Sequence, residues 1–424
     1  MSTFFTPIPA QHVKSLNKHV ALDLIRFTPG GISRVELAQR MSLTRAAVTS
    51  IVNDLISNGI IREAESRSVN SGRPPVILEI HPERGYVAGI DMGATHLSAI
   101  IANLATHVIK EKEVPFDISK GPDICIAQAN ELLSELLTAS GLVLADLVAI
   151  GVGVPGPIVA EAGMVLAPPI MPGWDRFPIL ETLEKLWKRP VSLNNDAELG
   201  ALGEWACGAG RGQKNLAYIK VGTGIGSGIL LNGEIYRGAT GSAGEVGHLT
   251  IDENGPLCTC GNRGCLEAIA GGKAIALQAQ DAVRNGQRTQ LNTIAPPENI
   301  SAKDVAAAAR RGDLLSQQIL SQAGDHLGVA IAGLVNLFNP GMVIVGGGVA
   351  QIGDLFLEPV RKAVQKRSLP AAAQAVRITT ALLGRRSSCM GAVIQAVSIA
   401  LHQTAENKSS LLVVEETETR MAKV

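Results

Sequence analysis

The stretch Gly244-Glu245-Val246-Gly247-His248, followed by Cys258-Thr259-Cys260-Gly261-Asn262-Arg263-Gly264-Cys265-Leu266-Glu267, decides how the rest of the chain is read. It gathers one histidine and three cysteines within eighteen residues. These are the four soft or borderline donors that a closed tetrahedral zinc site uses. His248, Cys258, Cys260 and Cys265 are therefore expected to hold a structural Zn²⁺. Glu245 stands three residues before the histidine and Glu267 two after the last cysteine. A metal that pins the loop would thus also fix two carboxylates, which suits a polyhydroxylated ligand. The competing reading is a set of buried free cysteines in a reducing compartment.

The spacing Cys-x-Cys-x4-Cys, with nine residues between His248 and Cys258, is not the paired Cys-x2-Cys of a zinc ribbon. Together with the GxxGH-type run before it, the segment resembles the signature of the ROK family, which holds bacterial sugar kinases and sugar-responsive transcriptional repressors. The branch must be settled elsewhere in the chain.

At 424 residues the chain is long enough for two or three domains with real cores. Its 38 basic and 38 acidic residues cancel, so no global field points to nucleic acid or membrane. Residues 1–85 nevertheless carry ten Lys and Arg against seven Asp and Glu, a mildly basic head on an acidic body. Cys125, Cys207 and Cys389 are scattered without evident pairing, and the first twelve residues lack the basic and apolar runs of a signal peptide, so a cytoplasmic protein is expected. The uncharged stretch Val329–Ala350 is interrupted by Asn339-Pro340-Gly341 and Gly346-Gly347-Gly348, which fits a buried helix, a turn and a core strand better than a membrane span.

In the head, Val13, Leu16, Val20, Leu24 and Phe27 recur at helical spacing, and Thr28-Pro29-Gly30-Gly31 ends that helix. Ser33 with Glu36 reads as a capping box opening a second helix to about Arg40. After Met41-Ser42-Leu43, Thr44 caps a third helix to about Asn58, striped by Val48, Ile51, Val52 and Leu55. This is a helix-turn-helix, whose second helix would present Thr44, Arg45, Thr49, Ser50 and Asn53 to base edges. Two strands, Ile60–Glu63 and Val76–Ile80, flank Ser66–Pro74, a basic wing whose Arg67 and Arg73 would meet phosphates or the minor groove. A small three-helix interaction module is the bland alternative. A helix-turn-helix, then a Ser-Gly-Arg-Pro wing, then a sugar-kinase-like body is similar to the repressor branch of the ROK family, over about Leu16 to His402.

In the body, Tyr86–Thr95 reads as a strand turning on Gly93 and returning through Leu97–Ile101, which resembles the first phosphate loop of the actin-like ATPase fold. A second glycine turn, Gly222–Gly228, follows the strand Leu216–Val221, and a third, Gly346–Gly348, follows Met342–Val345. Three such turns in this order fit two α/β lobes closing on a nucleotide-sized cleft. A retained nucleotide would meet Asp91, Gly93, Thr95, Gly222, Thr223, Gly224, Gly346 and Gly347. The strand Pro190–Asn195 delivers Asn195 and Asp196 at its C-terminal end, where α/β sheets bind ligands. In ROK kinases the matching Asp takes the proton of the attacking sugar hydroxyl. The resemblance thus implies a sugar held by Asn195, Asp196, Glu245, His248 and Glu267, with Asp196 catalytic only in a kinase. As a simpler role, Asp196 could cap the helix that begins near Ala197. The chain departs from the kinase pattern with Gly93-Ala94-Thr95-His96 in place of Gly-Gly-Thr-basic, and with Pro168-Pro169-Ile170-Met171-Pro172-Gly173-Trp174 where the family often has Pro-Asn before the tryptophan.

The expected fold is a two-lobed actin-like ATPase (ribonuclease-H-like) α/β body behind an N-terminal winged helix-turn-helix. Its domains are residues 1–82 (head), 83–196 (first lobe, joined by a C-terminal helix 387–402), 197–386 (second lobe with the zinc loop) and 403–424 (unassigned). The expected function is a sugar-responsive repressor, with operator DNA and a monosaccharide or its derivative as partners, no membrane, and a homodimer or homotetramer as assembly. An ATP/Mg²⁺-dependent sugar kinase that kept a DNA-binding head is the rival. A zinc or redox sensor is a third reading.

Overall fold

The computed structural model describes residues 10–28, 30–65, 76–159, 162–166, 168 and 170–405. The wing 66–74, with Arg67 and Arg73, and tail residues 406–424 lie outside the described residues.

The head contains α1 (Ala10–Phe27), α2 (Arg34–Arg40), α3 (Arg45–Ser57), β1 (Ile61–Glu65) and β2 (Val76–Ile80). Ser33 Oγ accepts from the Glu36 amide at 3.2 Å, and Thr44 Oγ1 accepts from the Ala47 amide at 3.2 Å. Both cap expectations hold, except that the Glu36 carboxylate turns to Arg40 instead of closing the box. β1 and β2 are antiparallel, and Ile32 bridges to Leu78, so the helix pair leans on a small sheet. Leu22, Leu37, Val52, Leu55 and Leu78 are wholly buried between them.

The first half of the body runs β3 (Tyr86–Met92), β4 (His96–Asn103), β5 (Val108–Pro115), α4 (Pro122–Ala139), β6 (Leu147–Val154), the short hairpin β7 (Ile158–Val159) and β8 (Met164–Val165), α5 (Ile179–Trp187) and β9 (Val191–Asn195). Its sheet is ordered β5-β4-β3-β6-β9, an antiparallel meander followed by two parallel additions. The second half runs α6 (Asp196–Cys207), β10 (Leu216–Val221), β11 (Ile225–Leu231), β12 (Glu234–Ile235), α7 (Leu266–Ala270), α8 (Gly272–Arg284), α9 (Ala302–Arg310), α10 (Leu314–Phe338), β13 (Met342–Gly346), α11 (Asp354–Arg367), α12 (Pro370–Ala375), β14 (Arg377–Thr380) and α13 (Ser387–Ala405). Its sheet repeats the plan, β12-β11-β10-β13-β14, with β13 and β14 parallel to β10. Near-continuous apolar strands such as Met342–Val345 are what parallel strands covered on both faces require.

α13 packs on β3, β4 and β6 of the first sheet, α6 on β10 and β11 of the second, and the two helices pack on each other. They are thus the seam between the lobes. One apolar core also runs from Leu22, Ile25 and Leu55 of the head through Val87 and Ile100 to Val393 and Val397 of α13, so the head is docked on the body rather than tethered to it. Among the described residues no helix is long and apolar enough to cross a membrane.

Candidate functional site

The loop between β12 and α7 folds against itself through short backbone bonds. Leu266 donates to Leu249 O at 2.9 Å, Ile251 to Gly264 O at 2.8 Å and Cys258 to Asn262 O at 2.8 Å. Gly264 has φ +66°, and a Cβ there would lie 1.5 Å from Asp252 O, so the turn accepts only glycine. The result brings His248, Cys258, Cys260 and Cys265 together with all ligand atoms within 4.8 Å of one another. Cys258 Sγ is 3.7 Å from His248 Nδ1, and Cys260 Sγ is 3.6 Å from Cys265 Sγ. A tetrahedron with Zn–S bonds of about 2.3 Å has edges of roughly 3.8 Å. The donors therefore fit a Zn²⁺ ion in size as well as in kind. Nδ1 of His248 faces the sulfurs, which leaves Nε2 for another partner.

The acids gather beside this loop. Burial raises the Glu245 pKa, and the nearby carboxylates of Asp196 and Glu267 raise it further against the opposing pull of His248. Glu267 is partly committed, because its Oε2 accepts from the Ile225 amide at 2.9 Å and so ties α7 to the second glycine turn. Asn195, not Asp196, is the N-cap of α6: its Oδ1 accepts from the Ala197 and Glu198 amides at 2.8 and 3.2 Å. Its Nδ2 donates to Gly156 O at 3.0 Å, leaving one amide proton for a ligand. Beside it, Arg237 donates to Glu198 at 3.2 Å and reaches Asn194 at 3.5 Å.

Asp196 is ion-paired with Lys220 at 2.9 Å. Sequence reasoning missed Lys220, although a lone lysine in the apolar strand Leu216–Val221 just before a glycine turn is a legible signal. Lys220 also faces Asp91 at 3.6 Å, and His96 Nε2 lies 3.2 Å from the same Asp91 oxygen. Most of the glycines expected to cradle phosphate are crowded, although a Cβ on Gly222 would meet nothing within 4 Å. A Cβ on Gly93 would lie 2.3 Å from the His96 ring, and one on Gly224 would lie 2.0 Å from Glu267 Oε2. Thr95 and Thr223 are exposed, Gly222 is half-buried, and Gly346 pairs with Lys220 across β13 and β10, with Gly347 turning beside Val221 at φ +85°.

At the head, Thr44, Arg45, Thr49 and Ser50 are all exposed on the N-terminal half of α3. Asn53 is less free than the sequence implies, since Arg34 donates to its Oδ1 at 3.0 Å while also pairing with Glu63 at 2.8 Å. The C-terminal end of α1 meets the seam helices. Arg26 donates to Ser398 Oγ at 2.7 Å and to Ile394 O at 2.6 Å, both in α13. Phe27 packs on Trp205 of α6 with ring centroids 4.8 Å apart.

Two α/β lobes of matching plan, joined at a helical seam and carrying a docked helix-turn-helix, define a DNA-binding head on a sugar-kinase type of body. The chain belongs to the ROK family, whose profile matches residues 87–398, and a winged helix-turn-helix DNA-binding profile matches residues 28–62. It is 32% identical over 386 residues to a putative xylose repressor of Caldicellulosiruptor sp. (strain Rt8B.4), covering 91% of this chain and 96% of that one. A crystal structure of a ROK family transcriptional regulator, a homolog of the Escherichia coli Mlc protein, superposes with a TM-score of 0.79 at 28% identity, covering 94% of this chain and 99% of that one. The body alone is 35% identical over 311 residues to a glucokinase of Halalkalibacterium halodurans, covering 73% of this chain and 94% of that one.

Proposed function

We propose that the protein is a sugar-responsive transcriptional regulator of the repressor type, working in the cytoplasm as a homo-oligomer. Its head binds operator DNA, with Thr44, Arg45, Thr49 and Ser50 at the base edges and Arg67 and Arg73 of the wing on the backbone. Its cleft takes a monosaccharide or a derivative, held by Asp196, Glu245, His248 Nε2, the free oxygen of Glu267 and the remaining amide proton of Asn195. The similarity to a xylose repressor makes D-xylose the first sugar to try. His248, Cys258, Cys260 and Cys265 would hold a Zn²⁺ that contributes no reaction chemistry and keeps the loop bearing Glu245 and Glu267 in shape.

The observation that carries this reading is the reach of one helix. α6 starts at the sugar-facing end of β9 with Asn195 and Asp196 and reaches Phe27 of the head through Trp205 near its other end. A ligand that shifts the α6 N-terminus relative to α13 therefore acts on the surface where the head is docked. In a dimer reading two half-sites, a small change in head orientation changes how both fit the DNA together. The test is gel retardation on DNA upstream of the protein's own coding region with a sugar panel; binding that no sugar alters counts against the reading.

A sugar kinase with a DNA-binding head is the second reading, favoured by the placement of Asp196 and by the glucokinase relative. A coupled assay for ADP release over the same sugars separates the two, because a regulator gives DNA response without turnover.

A further inference from the structure

We infer that Lys220 is the resident cation of the interlobe cleft, standing where phosphoryl transfer would need a divalent metal, so that the cleft takes its sugar with neither metal nor nucleoside triphosphate. The sugar clause rests on the function proposed above; the cation assignment does not.

Phosphoryl transfer from ATP needs a divalent ion on the phosphate oxygens, a carboxylate to position it, and a second carboxylate free to accept the proton of the attacking hydroxyl. The two carboxylates in those places are Asp91 at the first glycine turn and Asp196 at the head of α6. Neither is free. The Lys220 ammonium lies 2.9 Å from Asp196 Oδ2, 3.6 Å from Asp91 Oδ2 and 3.3 Å from Ser388 Oγ. It thus donates to Asp196 of α6 and Ser388 of α13 and forms a longer ion pair with Asp91 of β3. A Mg²⁺ ion binds oxygens at about 2.0–2.1 Å in an octahedron and cannot share Asp196 Oδ2 with an ammonium at hydrogen-bond distance.

Burial disfavours charge on Lys220, yet Asp196 and Asp91 outweigh it and keep the amine protonated. Asp91 is wholly buried, and its Oδ1 has no partner, an acceptor left over from a site the lysine only half satisfies. His96 closes the remaining approach. Its Nε2 sits against Asp91 and its ring covers the open face of Gly93, where a phosphate would have to meet backbone. Lys220 is also placed on the strand that leads into the second glycine turn and is paired in register with Gly346 at the third. Its backbone thus lies beside the second and third turns, and its ammonium reaches Asp91 beside the first. ATP and Mg²⁺ do not fit these residues, and the cleft is built for one ligand instead of two.

The test is Mn²⁺ binding to the purified, zinc-loaded full chain, followed by the loss of the free-ion electron paramagnetic resonance signal, with sugar binding measured in parallel by thermal shift. Wild type and Lys220→Arg should leave Mn²⁺ free. Lys220→Met should bind close to one Mn²⁺ per chain, at least about tenfold more tightly than wild type once a like charge a few ångströms away is gone. Adding Asp91→Asn to Lys220→Met should abolish the gain. Wild type that binds one Mn²⁺, with that binding lost in Asp91→Asn, overturns the assignment even if Lys220→Met fails to fold. A folded Lys220→Met that gains no Mn²⁺ overturns it equally. If the Mn²⁺ results hold but no sugar stabilises the chain, the sugar reading falls and the lysine assignment stands.

Discussion

Replacing Gly391 with alanine should force the two seam helices apart. A Cβ on Gly391 would lie 1.8 Å from Leu199 O of α6, and one on Gly203 would lie 2.2 Å from Ser387 O of α13. Carbon and carbonyl oxygen make close contact at roughly 3.3–3.6 Å, so the helices must separate by about 1.5 Å at that point. The obstacle is backbone on both sides, with no side chain to rotate away. Overpacking typically costs about 1–3 kcal/mol, and a backbone obstacle puts this case near about 3 kcal/mol.

Gly333 supplies the control. It lies within α10, and a Cβ there meets nothing within 4 Å. Alanine at that position removes the helix penalty of glycine and should stabilise by about 0.5–1 kcal/mol. The two variants then differ by roughly 4 kcal/mol, and at about 2 °C per kcal/mol for a chain of this size their Tm values should differ by about 8 °C in calorimetry of the zinc-loaded protein. Because the displaced helices also carry Asp196, Ser388 and Ser398, Gly391→Ala should weaken the sugar response of DNA binding while Gly333→Ala leaves it intact. Melting of the two variants within about 2 °C of each other would refute the close-packed seam.

Cys260→Ser should lower bound zinc, measured by atomic absorption on the purified protein, and should abolish sugar-dependent change in DNA binding; unchanged metal content would remove Cys260 from the ligand set. Arg45→Ala should reduce discrimination between operator and random DNA by roughly 1–3 kcal/mol, one bidentate base contact, read as the ratio of the two Kd values by fluorescence anisotropy. An unchanged ratio would move the recognition face elsewhere. Glu204 is wholly buried, and its carboxylate accepts from the amides of Ala209, Leu382 and Leu383 and from Ser387 Oγ at 2.8–3.1 Å. Glu204→Gln sets an NH₂ against backbone donors and should cost about 3 kcal/mol in urea unfolding, whereas a cost under about 1 kcal/mol would mean the network relaxes freely.

Much of this arrangement is local and so could be read from the chain alone. Caps at Ser33 and Thr44, the hairpin through Gly93 and the ligand spacing from His248 to Cys265 depend on residues a few positions apart. The helix limits shifted by a turn or less; α1, for example, begins at Ala10 where the apolar periodicity starts at Val13. What was not legible depends on distant partners. Asn195 has a helix to cap, which takes up its Oδ1. Asn53 meets Arg34 from another helix. Arg26 finds Ser398 across 372 residues, and Lys220 finds Asp91 and Asp196 only when the two sheets face each other. Sequence pattern singled out Asp91 and Asp196 but not Lys220, the cation that pairs with both.

The central claim is that a sugar in the cleft changes how the head holds DNA. Operator affinity of the zinc-loaded full chain should be measured by fluorescence anisotropy at fixed salt, with and without saturating sugar, for wild type and Asp196→Asn. A coupling of about 1–3 kcal/mol, a 5- to 150-fold change in Kd, is expected in wild type and should vanish in Asp196→Asn. Identical Kd values with and without a sugar that calorimetry shows to be bound would contradict the account.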